Sequence, residues 1–298
     1  MRTHIRIDRW IKSVFPGLTK RQIEEAVDRG LVVADCRGRG VKKGEKLSSV
    51  GELDCSGLKI HVELLKKGNP ELTAEVVHEA EDFVAIDKPS GMPSLPHSLF
   101  DTNTVTQWLY SQYPECAAVF TGIQPTVVPH RLDTGTSGLL LVAKNPLALS
   151  RWRDAFKKKR MRKRYLAWCW GSAPKERFEV NYGIAHSRGD RRVMVIPALG
   201  ERYRPPILEA QTIVDIWEQN PKVGVFLASL ECYTGVTHQV RIHMAKSGYP
   251  LVGDSFYDAQ FEGRAIKPEY HELRATDLEG EGLHFQVPVD AFRRRYRT

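Results

Sequence analysis

Apolar positions in the first sixty residues switch between helical spacing and short β-type runs. Ile7, Trp10, Ile11 and Val14 recur at i, i+3, i+4 and i+7, one face of a helix, and Pro16-Gly17 stops that run. Thr19 opens a second helix with Gln22 three residues on as a capping pair, and Ile23, Ala26 and Val27 form its apolar stripe. Gly30 suits the position just past the helix end, and Leu31-Val32-Val33 predicts a strand. LKIHVELL, from Leu58 to Leu65, predicts a further extended run. The polar stretch KKGNPEL that follows predicts a linker.

Beyond it the pattern is strand-rich. Val76-Val77 and Phe83 to Ile86 predict a strand pair across an acidic turn. Short β-type runs recur at 126–128, 139–143, 165–170, 193–196, 212–217, 223–233 and 240–244. Helices are predicted over 104–112 and from Asn145-Pro146, an Asn cap with Pro at the first helical position, to about Arg160. Helices interrupt the strands without alternating with them, which predicts an α+β fold. The expected organisation is a small helix-helix-strand domain over 1–65, a linker over 66–75 and a large domain over 76–298.

Composition narrows the class. The chain has 298 residues, 42% hydrophobic and 27% charged, enough to bury a sizeable core as a soluble protein. There is no 18-residue apolar run, so no membrane span is expected, and the basic N-terminus lacks the apolar core of a signal peptide. Five cysteines are scattered without a CxxC, which favours a reduced, cytoplasmic protein over a disulfide framework or zinc site. The net charge of +8 points to a polyanionic partner, nucleic acid ahead of a membrane surface. From Arg151 to Arg164 nine of fourteen residues are Lys or Arg, and Arg37, Arg39, Lys42, Lys43 and Lys46 form a second cluster.

Candidate chemistry concentrates in HRLDTGTSGLLLVAK, from His130 to Lys144. Asp133 is followed by a Gly/Thr/Ser turn and then by an apolar run that reads as a buried strand, so its carboxylate is fixed and partly dry. Two further segments belong with it: Lys163 to Ala167, bringing Tyr165 on a strand, and Thr234 to Tyr257, bringing Arg241 on a β-type run. An acid, a phenol ring and a guanidinium on three strands could line one pocket, with Arg241 holding the carboxylate ionised. Taken singly, a strand Tyr is usually a core residue and a strand Arg usually faces solvent. Metal chemistry is disfavoured, because His238 and His243 fall on opposite faces of a strand and no HExxH exists.

Together the segments resemble the RluA-type pseudouridine synthase family over about residues 76 to 290. The resemblance rests on HRLD-x-x-TSG, DKPSGMP at 87–93, KRYLA at 163–167 and THQVRIH…GYPLVGD at 237–254. RIDRWI, TKRQIEEAVDRGLVVAD and VKKGEKL resemble the S4 RNA-binding domain. The resemblance implies a large mixed, mostly antiparallel sheet with flanking helices and an enzyme that turns a uridine of structured RNA into pseudouridine. It implies Asp133, Tyr165 and Arg241 as catalytic, Arg131, Lys88 and His130 as substrate-binding, and no metal or organic cofactor. The expected partner is RNA, ribosomal ahead of transfer RNA, with no DNA and no membrane, for a monomer in the cytoplasm. Three departures stand out: Val236 replaces an Arg, Leu273-Arg274-Ala275 replaces Leu-His-Ala, and Thr134-Gly135 replaces residues that are frequently charged in the family. A non-catalytic RNA-binding or ribosome-assembly factor is the alternative, since the basic surface explains binding without chemistry.

Overall fold

A computed structural model describes residues 5–34, 38–47, 53–120, 126–173, 176–190 and 192–297. Arg37 of the second basic cluster lies outside them. The chain forms two compact units. The first takes residues 1–73, 93–127 and 144–146 and the second the remainder.

The first unit holds β1 (Ile5–Arg6), α1 (Ile7–Val14), α2 (Lys20–Asp28), β2 (Lys46–Leu47), α3 (Ser56–Leu65), α4 (Val105–Gln112) and α5 (Pro114–Val119). Thr19 caps α2 as its sequence predicts: its Oγ1 accepts from Gln22 N–H at 3.3 Å, and its own N–H donates to Gln22 Oε1 at 2.8 Å. Two expectations fail here. Val33 makes isolated bridges to Gly40 and Asp54 instead of a strand. The run from Leu58 to Leu65 is helical, because Leu58, Val62 and Leu65 share one buried face while Ile60 is exposed. That face joins Ile7, Ile11 and Ile23 in the core of the unit. The segment expected as a linker packs within the same unit, Asn69 N–H donating to Gln107 O at 3.0 Å.

The second unit is built on one sheet. Its elements are β3 (Glu75–Glu79), β4 (Phe83–Lys88), β5 (Ser137–Ala143), α6 (Pro146–Lys157), β6 (Arg162–Trp170), β7 (Arg177–Val180), β8 (Ile184–Ser187), β9 (Met194–Val195), β10 (Tyr203–Leu208), β11 (Thr212–Asn220), β12 (Val225–Cys232), α7 (Gln239–Lys246), β13 (Leu273–Gly280), β14 (Leu283–Gln286) and α8 (Asp290–Arg293). The order across the sheet is β3-β4-β5-β13-β6-β12-β11-β7, with β14 also on β13, and β8, β9 and β10 form a separate small sheet. Every pairing in the large sheet is antiparallel except β5 with β13.

Alternation along β6 sorts its side chains onto two faces. Tyr165, Ala167 and Cys169 pack with Val240 and Met244 of α7, and Leu166, Trp168 and Trp170 pack with Phe292 of α8. The run at 240–244 is therefore helix where a strand was expected. Val240, Ile242 and Met244 alternate with polar residues, and so short an alternation does not distinguish the two periods. The run at 126–128 forms no strand.

Candidate active site

Asp133 lies in the turn that feeds β5, between the loop at 129–132 and the first residue of the strand. Thr136 N–H donates to Asp133 O at 3.0 Å and closes the turn. Lys88, wholly buried at the end of β4, supports it from behind: Nζ donates to Pro89 O at 2.9 Å, Met92 O at 2.8 Å and Thr134 O at 3.3 Å. Three carbonyls match the three N–H donors of an ammonium. Burial pulls its pKa down to about 7, against the opposing pull of Asp133 and Asp87. Lys88, expected among the substrate-binding groups, ties the Asp133 turn and does not line the cavity wall that holds Asp133.

That wall encloses about 600 Å³ and brings Asp133, Tyr165, Arg241, Arg131 and His130 together. Arg241 comes from the first turn of α7 and is buried. Its Nη1 donates to Asp133 Oδ2 at 3.1 Å, and its Nε and Nη2 donate to the two oxygens of Asp254, both at 2.8 Å. The Asp254 carboxylate also accepts from the N–H of Phe256 and Tyr257. Burial pushes the Asp133 carboxyl up, and His238, Arg241 and His271 together bring it below the usual carboxylate range. Asp133 is thus ionised, held by one guanidinium edge and open on its other side: its side chain is 17% exposed against 0% for Asp254.

Tyr165 reaches the cavity from β6, and burial holds its hydroxyl protonated far into alkali. Its ring offers a flat face beside the carboxylate. His130 contributes differently. Leu141 N–H donates to its Nε2 at 3.1 Å, and burial drives its pKa down to about 3, so it is a neutral ring fixed against β5. Arg131, Arg153 and Lys157 are exposed at the cavity mouth and carry no carboxylate partner among the described residues.

Three groups in this arrangement were not singled out from the sequence as parts of the site. Asp254 closes the second side of Arg241, and its only signal was its place in the GYPLVGD stretch. His238 Nε2 stands 3.7 Å from Asp133 Oδ2, and its Nδ1 lies 2.7 Å from Tyr257 Oη. Tyr257 Oη in turn accepts from Met194 N–H at 2.9 Å, so the His238 ring is held between a fixed hydroxyl and Asp133. His238 caps α7 with φ +57°, a left-handed backbone that a non-glycine residue adopts only when its surroundings impose it. Of the departures from the family pattern, Val236 packs against Ile184, Met194 and Ile242, and Arg274 pairs with Asp87. Among the described residues no cluster of His, Cys, Asp and Glu could hold a metal ion.

A family model described as RNA pseudouridylate synthase matches residues 82–246. An RNA pseudouridine synthase of Chlorobaculum parvum is 30% identical over 266 residues, covering 86% of this chain and 76% of that one. The ribosomal large subunit pseudouridine synthase D of Zymomonas mobilis is 28% identical over 285 residues, 94% of this chain and 83% of that one. Among solved structures, human RNA pseudouridylate synthase domain containing 1 superposes with a TM-score of 0.59 at 26% identity, over 74% of this chain and 84% of the other.

Proposed function

The chain belongs to the RluA-type RNA pseudouridine synthase family, and from that premise we propose that it isomerises one uridine of a structured ribosomal RNA, with Asp133 as its catalytic carboxylate. The observation that carries this reading is the Asp133 carboxylate, ionised on Arg241 and open to a 600 Å³ cavity that also receives Tyr165.

Uracil leaves the ribose C1′ with the bonding electron pair, turns, and rejoins through C5. The C5 proton passes to solvent and N1 gains one, so atoms balance. Asp133 acts at the sugar, by attack on C1′ or by taking the C2′ proton. Both routes need an ionised carboxylate, which Arg241 secures. The base must leave its stack to reach the cavity. Tyr165 then offers it a face, and Arg131 at the mouth fills the gap it leaves.

Arg153 and Lys157 suit the phosphates on either side of the target. Residues 1–65 serve as an S4-like RNA-binding domain, with Lys20, Arg21, Arg29, Lys42 and Lys43 on its basic rim. Ribosomal RNA is placed ahead of transfer RNA because of that domain and because the Zymomonas relative is a ribosomal large subunit enzyme.

The test is tritium release from unmodified ribosomal RNA labelled at uridine C5, comparing the wild type with Asp133→Asn. Release by the wild type alone supports the proposal. Release by both removes Asp133 from the catalytic role. Binding without release by either, on ribosomal and transfer RNA alike, favours a non-catalytic RNA-binding factor.

A further inference from the structure

Charge at the centre of the cavity is unbalanced. Arg241 carries one positive charge and is shared by two carboxylates, Asp133 and Asp254, which leaves that trio at −1. At neutral pH His238 and His271 offset it only in small part, because burial lowers both pKa values below the ordinary 6.5, that of His271 to about 4. Yet the proposed reaction sends an electron pair onto the base when its bond to C1′ breaks. A departing anion beside a site of net negative charge requires a cation close to the base.

Arg131, Arg153 and Lys157 are exposed at the mouth, the first suited to the gap in the base stack and the other two to phosphates. Lys163 is different. It lines the same cavity, is only 7% exposed, and has no carboxylate partner among the described residues. It precedes Tyr165 by two positions on β6, so the two side chains share the sheet face that looks onto the cavity. Nζ donates to Thr234 O at 2.6 Å, which uses one of its three N–H bonds. Among the described residues its nearest neighbours are uncharged: Cys232 stands opposite on β12, Leu278 opposite on β13, the Phe156 ring lies 6.0 Å away, and the nearby His130 is neutral.

We propose that Lys163 is a catalytic residue that donates to a carbonyl oxygen of the uracil ring, holding its negative charge while the base is detached from the ribose. This rests on the pseudouridine synthase reading of the site. The role is the same for both routes at the sugar, since uracil leaves with the electron pair in each.

The test uses an RNA from which the wild-type protein releases tritium, so that a failure of the functional reading shows in the wild type and a failure of this assignment only in variants. Single-turnover release and RNA affinity are measured for Lys163→Gln and Lys163→Arg across pH. Lys163→Gln should release tritium about 100-fold more slowly while its RNA affinity changes less than about threefold. Lys163→Arg should recover most of the rate. The wild-type rate should fall in alkali as the ammonium, already destabilised by burial, loses its proton, and the Arg variant should hold its rate to higher pH. A full rate in Lys163→Gln, a loss confined to affinity, or identical alkaline limbs for wild type and Lys163→Arg would each overturn the assignment. Should Lys163→Gln not fold, Gly235→Ala replaces it. Its methyl would come within 2.8 Å of Lys163 Nζ and displace the ammonium without deleting it, with the same split between rate and affinity expected.

Discussion

Asp254 grips Arg241 through both carboxylate oxygens, at 2.8 Å each, and so aims the one remaining nitrogen, Nη1, at Asp133. The fork geometry of a guanidinium permits this division between two acids, and a lysine ammonium would not reproduce it. Asp254 is fully buried, so its charge is compensated only inside this network.

Replacing Asp254 by Asn should therefore cost stability and activity together. Breaking a buried pair leaves a charge unmatched, about 3 kcal/mol or more, and frees Arg241 to turn from Asp133. Urea unfolding and tritium release on one preparation check both effects. An Asn variant with wild-type stability and rate would show the grip on Arg241 to be dispensable.

Lys88→Met keeps the length of the side chain and removes the three donors that bind Pro89, Met92 and Thr134. The stranded carbonyls should destabilise the protein by about 2–4 kcal/mol. Activity of the folded fraction should fall as well, because the Thr134 tie adjoins Asp133. Denaturant titration beside single-turnover kinetics separates the two losses.

Acid should destabilise the protein before its carboxylates titrate. His271 is buried, bonded to Thr136 Oγ1 at 2.8 Å, and keeps a pKa of about 4. Below the ordinary 6.5 the unfolded chain takes up a proton that the folded imidazole refuses until pH 4, so falling pH favours unfolding. This group alone accounts for about 3 kcal/mol by pH 4. Melting temperatures between pH 7 and pH 4 should drop steeply for the wild type and less so for His271→Gln.

RNA affinity should weaken with salt, with a slope set by the phosphates neutralised. Removing Lys157 or Arg153 should flatten that slope by about one unit per cation. Filter binding at several salt concentrations checks it. Equal slopes for wild type and Lys157→Ala would take this residue out of the RNA contact.

The sequence announced the acid and hid the geometry around it. Asp133 was legible because a Gly/Thr/Ser turn before a fully apolar strand is an unusual setting for a charge. Thr19 with Gln22 was legible because capping chemistry is local. Arg241 was read on a strand and stands on a helix. Neither Gly nor Pro marks where α7 begins, and its N-cap, His238, takes a left-handed backbone imposed by tertiary packing. Asp254 was legible only as part of a motif, since nothing at its own position signals a partner thirteen residues earlier.

The parallel seam between β5 and β13 makes one strand the joint between two halves of the sheet. Without Leu273–Gly280, β3-β4-β5 and β6-β12-β11-β7 are separate sheets, one leading from Asp133 and the other carrying Tyr165. Gly138 meets Ala275 there so closely that a methyl at 138 would stand 2.0 Å from Ala275 O. β13 is thus the strand that sets Asp133 in register with Tyr165, and its loss would bare the rims of β5 and β6 to other strands.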